Sequence, residues 1–290
     1  MRPWPTAASV LPFDEATRAR LRELYERGRE RGRRPQVFGL VGDSITFSDW
    51  FLKPFAAGAR SHLSPEVVER LRIPSGGRTI IDYYQGVDAQ AGLDSFAAPR
   101  AAKNGARSSW PLPLGQPAES SPLGQLVRSL SPAVVIVMYG SNDATVRFTS
   151  TKQLSADFRA RMIRIVDYLE GEGVIPVLNT VLRHGHDPSR ADCDRGAGDL
   201  SNWRVAVQSS VVSAVAAELA CERKLPLIDL RHGMDQLLNS GLGVDGTHPD
   251  AFLGGAGVLT STGLQCGFNL RNYLTLRMLK QIHEVVGGSP

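Results

Sequence analysis

The stretch "QVFGLVGDSITF", residues 36–47, sets the reading of the whole chain. Five of its first six residues are apolar or glycine, which is the continuous pattern of a strand buried on both faces. The run then stops at Gly42-Asp43-Ser44 and turns polar. A serine at such a turn is often only a helix N-cap. The same hydroxyl is a nucleophile if a base and a group that stabilises negative charge stand nearby, so the rest of the chain decides.

Four further apolar runs follow at wide intervals: "TIIDYY" (79–84), "AVVIVM" (133–138), "VIPVL" (174–178) and "LPLIDL" (225–230). Helical patterns separate them. Leu154, Phe158, Met162, Ile165 and Leu169 step by three or four, as do Leu270, Leu274, Met278, Ile282 and Val285, and Asn202 to Cys221 has helical length. Alternating strands and helices predict an α/β fold with a parallel sheet covered by helices on both faces. The 290 residues, 42% of them apolar, suffice for a proper core. The N-terminal segment, residues 1–35, carries a basic stretch from Arg18 to Arg34 with Leu21, Leu24 and Tyr25 at helical spacing and interleaved glutamates. It reads as a surface helix ahead of one domain spanning 36–290. Two long connections interrupt that domain, at 86–122 and 183–199. The first is read as a helix near Pro99–Asn104 followed by a loop whose Trp110 either overhangs a site or anchors the loop to the core.

The net charge of +4 comes without a nucleic-acid motif or interleaved aromatics. No apolar run approaches the ~20 residues of a membrane span. The first residues lack the apolar core of a leader peptide, so the chain reads as cytoplasmic, or as exported with its leader already removed. Of three cysteines, Cys221 sits at an apolar helical position and reads as core, while Cys193 and Cys266 lie in loops where one disulfide is open. His184, His186, Asp187, Asp192, Asp194 and Asp199 match no zinc or EF-hand spacing, so no metal and no cofactor is expected.

In parallel α/β sheets, ligands bind beyond the carboxyl ends of the strands. Four polar groups fall there: Gly42-Asp43-Ser44, Gly140-Ser141-Asn142-Asp143, Arg183-His184, and, past a short helix, Asp245-Gly246-Thr247-His248-Pro249. His248 can act as a base near neutral pH. Asp245, three residues earlier, can fold back and hold its ring. Asn142 and the Ser44 N–H can face an oxyanion. Asp43 and Asp143 read as braces, and Arg183 either meets substrate or pairs with an aspartate.

These blocks, in this order, resemble the SGNH (GDSL) hydrolase family across roughly Val37 to Val286. The resemblance implies a flavodoxin-like three-layer α/β/α sandwich with a five-stranded parallel sheet in the order 2-1-3-4-5. It implies Ser44 as nucleophile, His248 as base, Asp245 as its orienting acid and Asn142 as an oxyanion donor. A second donor glycine is expected after the second strand, with Gly92 preferred and Gly86 as the alternative. The implied activity is hydrolysis of a small-molecule or polysaccharide ester, of short acyl or acetyl type, through an acyl-enzyme. An acyltransferase using the same residues, or a silent carbohydrate- or surface-binding module, remain the competing readings.

Overall fold

A computed structural model describes residues 9–74, 77–85, 93–146, 150–184 and 200–287. Its centre is a sheet of β1 (Arg34–Gly42), β2 (Ala101–Ala102), β3 (Pro132–Met138), β4 (Ile175–Asn179) and β5 (Leu227–Ile228). All neighbours are parallel, in the order β2-β1-β3-β4-β5. That is the expected 2-1-3-4-5 arrangement. Every residue of β3 and β4 is buried, which requires cover on both faces.

The cover comes from helices. α1 (Glu15–Glu30) starts at Asp14, whose carboxylate accepts from Thr17 N–H, and buries Leu21, Leu24 and Gly28. A Cβ on Gly28 would lie 2.3 Å from the Gly173 carbonyl oxygen, so only glycine permits this approach. The helix's charges are paired, Arg20 with Glu23 and Glu170 and Arg27 with Glu23, and an exposed, paired face is what the interleaved glutamates predict. α3 (Pro65–Leu71), α4 (Ile80–Gln85) and α8 (Leu230–Asp235), together with α1, pack on α9 (Gly267–Val286). α5 (Pro122–Leu130) lies on β1, and α6 (Thr151–Gly171) pairs with α7 (Leu200–Arg223) on β4. Within α7 the span Arg204–Arg223 has the length and mean hydropathy, 1.3, of a membrane helix. Here Val212, Val215, Ala216 and Leu219 form a buried stripe.

Two elements differ from the sequence reading. "TIIDYY" is not a strand but forms α4. Asp82 Oδ2 accepts from both the N–H and hydroxyl of Thr79, at 2.7 and 2.8 Å, and this cap nucleates a helix despite the β-branched residues. Tyr84 then meets Phe38 edge-on, with ring centroids 5.1 Å apart. The second strand of the sheet is instead Ala101–Ala102, inside the stretch read as a helix. Two alanines carry no strand signature; what makes them a strand is pairing with Val41 and Gly42. Cys221, read as core, is exposed on α7, because one residue past buried Ala220 a helix has already turned by about 100°.

Candidate active site

The turn after β1 is built tightly. A Cβ on Gly42 would come within 2.3 Å of Thr46 Oγ1 and 2.8 Å of the Met138 carbonyl oxygen, so the position needs glycine. Asp43 caps the short helix α2 (Ser44–Phe47), its Oδ1 accepting from Ile45 N–H at 3.1 Å. Ser44 is the first residue of that helix, so its N–H has no carbonyl partner within it. Asp43 is fully buried. Burial pushes its carboxyl up to about 6, against the opposing pull of the Ile45 N–H and of Arg271. A carboxyl raised in the folded state binds its proton more tightly there than when unfolded. Its stabilising contribution is complete below about pH 4 and is lost as pH rises through about 6. Asp43→Asn should flatten that downward slope in thermal midpoint between pH 4 and 6; an unchanged slope would assign it to another group.

The segment before α9 brings the histidine. Gly246, at φ 65°, lets the chain turn back. Asp245 Oδ1 accepts from the N–H groups of Thr247 and His248, each at 2.9 Å. The other oxygen, Oδ2, lies 2.7 Å from His248 Nδ1. His248 Nε2 lies 2.9 Å from Ser44 Oγ. This pattern assigns the proton to Nδ1 and leaves the Nε2 lone pair facing the Ser44 hydroxyl. Partial burial alone would raise the Asp245 carboxyl, but the hydrogen bonds from the His248 ring and the two N–H groups outweigh it and hold it at about 2. The loop is pinned at both sides by Gly243 N–H on the His248 carbonyl, 2.9 Å, and by a bridge between Leu242 and Pro249.

The third group lies at the end of β3. Asn142 Nδ2 donates to the Ala106 carbonyl at 3.1 Å, and its second amide hydrogen remains for a ligand. Asp143 is fully buried and accepts from Ser108 N–H (3.0 Å), Ser108 Oγ (2.6 Å) and Arg161 Nη1 (3.2 Å). It braces the loop, in the manner read from the sequence.

Gly86 and Gly92 fall outside the described residues, and the strand they were expected to follow is the helix α4. The glycine that follows β2 is Gly105, at φ 70° with open space on its Cβ side. Its turn is held on the elbow by Lys103 N–H on the Gly42 carbonyl (3.2 Å) and on Asn142 through Ala106. The Asn104-Gly105 pair is a turn signal that the mistaken strand concealed.

The remaining site candidates lie at the edges. Arg183 makes a two-pronged bond to Asp235, at 3.0 and 3.1 Å, which is the aspartate pairing rather than an open cation. His184 is buried and lowered to about 4, first by burial and next by the nearby His248, so it stays neutral. His186, Asp187, Asp192, Cys193, Asp194 and Asp199 lie outside the described residues, and with Cys193 goes the disulfide to Cys266 that the sequence left open. Among the described residues no three acidic, histidine or cysteine side chains gather as a metal site. Trp110 is half-buried against the main core. Trp110→Ala should therefore cost on the order of 1–3 kcal/mol of stability and leave the preference for acyl chain length unchanged. A shifted preference at constant stability would make the indole a pocket wall instead.

No family model matches the chain, and no curated protein matches it. Solved structures do. The lipase/acylhydrolase of Enterococcus faecalis is 21% identical over 84% of this chain and 94% of its own, with a TM-score of 0.44. A GDSL-like lipase of Bacteroides thetaiotaomicron is 13% identical over 89% of this chain and 98% of its own, TM-score 0.47. An acetylxylan esterase of Geobacillus stearothermophilus is 16% identical over 83% and 93%, TM-score 0.45.

Proposed function

We propose that this chain is a serine hydrolase of the SGNH type that cleaves carboxylic esters through an acyl-enzyme. The observation that carries the reading is the continuous hydrogen-bonded line from Ser44 Oγ through the His248 ring to Asp245, 2.9 and 2.7 Å. A serine hydroxyl so placed can lose its proton to imidazole as it attacks.

In this mechanism Ser44 Oγ bonds to the ester carbonyl carbon while its proton passes to His248 Nε2. Asp245, ionised and fixed, steadies the imidazolium. The carbonyl oxygen becomes an oxyanion facing the N–H groups of Ser44 and Gly105 and the amide of Asn142. The C–O bond to the alcohol then breaks, and His248 returns the proton to the departing oxygen. Water enters with His248 as base, and the acid leaves with Ser44 restored.

The proposed acyl group is short. The loop 103–108 is fixed at three points, on Gly42, Asn142 and Asp143, and in this reading it borders the acyl group and does not open for a long chain. The substrate is a small-molecule or polysaccharide ester. The test is a series of p-nitrophenyl esters of increasing chain length, with acetylated xylan alongside, plus a serine-directed phosphonate. Labelling of Ser44 with turnover of acetyl or butyryl esters is the expected result. No labelling and no turnover on any ester would remove the reading.

A further inference from the structure

Three polar side chains in the first turns of α9 have no exposure at all: Asn269, Arg271 and Asn272. Burying such groups is costly unless their polar atoms are paired. Their partners lie in two places. Arg271 Nη1 donates to the Ile45 carbonyl at 2.7 Å, Nη2 to Thr46 Oγ1 at 2.9 Å, and the guanidinium lies 3.5 Å over the Phe51 ring. All three belong to the segment that leaves Ser44. Asn269 Oδ1 accepts from Phe252 N–H at 3.1 Å, and its Nδ2 donates to the carbonyls of Gly255 and Val258 at 2.9 and 2.8 Å. These belong to the segment that leaves His248.

Asn272 touches both. Its Oδ1 accepts from Leu52 N–H at 2.9 Å, and its Nδ2 donates to the Trp50 carbonyl at 2.9 Å and to the Ala256 carbonyl at 3.0 Å. Leu52 stands at φ 58°, a conformation a non-glycine residue keeps only when its surroundings enforce it. One buried carboxamide on a long helix therefore joins the two segments whose leading residues, Ser44 and His248, are 204 positions apart in sequence. Among the described residues Arg271 Nε has no partner, but both carboxamides are paired at oxygen and nitrogen, and such buried pairing fixes one arrangement, because a shift leaves a polar group unpaired at low dielectric.

We propose that Asn272 is a positioning residue that sets the separation of Ser44 Oγ and His248 Nε2. Its consequence for rate rests on the hydrolase reading above; the geometry does not. The primary variant is Asn272→Asp, which keeps the acceptor for Leu52 N–H and removes the amide donors. Leu279→Ala, buried farther along the same helix, serves as a control for simple destabilisation. Per folded molecule, Asn272→Asp should lower kcat for p-nitrophenyl acetate on the order of 10²-fold with KM little changed, whereas Leu279→Ala should lower the thermal midpoint alone. A second readout needs no turnover. The NMR titration of the His248 ring should shift on Ser44→Ala in the otherwise native chain, and this shift should vanish in the Asn272→Asp background. An undiminished shift there, or equal kcat per folded molecule in both variants, overturns the proposal. Were Asn272→Asp unable to fold, hydrogen exchange of the native chain decides: Leu52 N–H should be protected as well as the α9 amides, and rapid exchange would overturn the role. Failure of the hydrolase reading shows separately, as a native chain that phosphonate does not label while the ring titration still reports the Ser44–His248 contact.

Discussion

Ser44→Ala is expected to fold normally and to lower kcat/KM for short esters by on the order of 10³-fold or more. Three powers of ten correspond to about 4 kcal/mol of barrier. The basis is geometric. Ser44 Oγ faces His248 Nε2 at 2.9 Å, and alanine leaves the backbone N–H and the Asp43 cap untouched. Far-ultraviolet circular dichroism and the thermal midpoint should match those of the unaltered chain. The phosphonate should no longer modify the protein. An alanine variant that keeps most of its activity would mean that the nucleophile lies elsewhere or that the chemistry is not covalent.

His248→Ala should have a comparable effect, because it removes both the proton acceptor in the first step and the proton donor in the second. Asp245→Asn should cost less. Its Oδ1 bonds to Thr247 and His248 N–H survive in the amide, so the loop keeps its shape and the ring stays near Ser44. What is lost is the charge at Oδ2 that fixes the tautomer. Equal losses in the two variants would make the carboxylate as indispensable as the imidazole. The Asp245 carboxyl is held at about 2, below its value of about 4 in an unfolded chain. A lowered carboxylate contributes stability that is present above about pH 4 and is lost as pH falls toward 2. A decline of activity between pH 7 and 4 therefore does not belong to Asp245, and Asp245→Asn should not move that limb by removing a titrating acid.

The further role assigned to α9 explains why a site with so much exposure can still be ordered. The side chains of His248 and Asp245 are 43% and 52% exposed, too open for packing alone to hold them. Backbone bonds at Gly243 and Leu242 hold the histidine loop itself. The buried amides of Asn269 and Asn272 anchor the segment that follows it, and Arg271 and Arg100, which donates to the carbonyls of Thr46, Ser48 and Phe51, anchor the segment that follows Ser44. In "NLRN", residues 269–272, three polar residues flank Leu270 of the apolar stripe. They are buried, and the reason lies in loops far away along the chain.

Much of the molecule follows from local rules. Continuous apolar runs flanked by turn residues made β1, β3, β4 and β5 visible, since a strand buried on both faces needs nothing else. Helical periodicity did the same for α6 and α9, and an apolar stretch of helical length did so for α7. Gly42-Asp43-Ser44 and Asp245-x-x-His248 could be read because a tight turn and a three-residue return are short-range geometry. Tertiary structure decided what depended on distant partners. Ala101–Ala102 becomes a strand only because β1 offers an unpaired edge, while "TIIDYY", with the stronger strand composition, is captured by its own Thr79–Asp82 cap. The glycine that follows the second strand of the sheet is consequently Gly105. Arg183 is drawn to Asp235, and Asn272 to two loops at once. A chain's composition and spacing fix which residues can pair within a few positions. Which buried donor meets which carbonyl across 200 positions is set by the cost of leaving either one unpaired in the folded core.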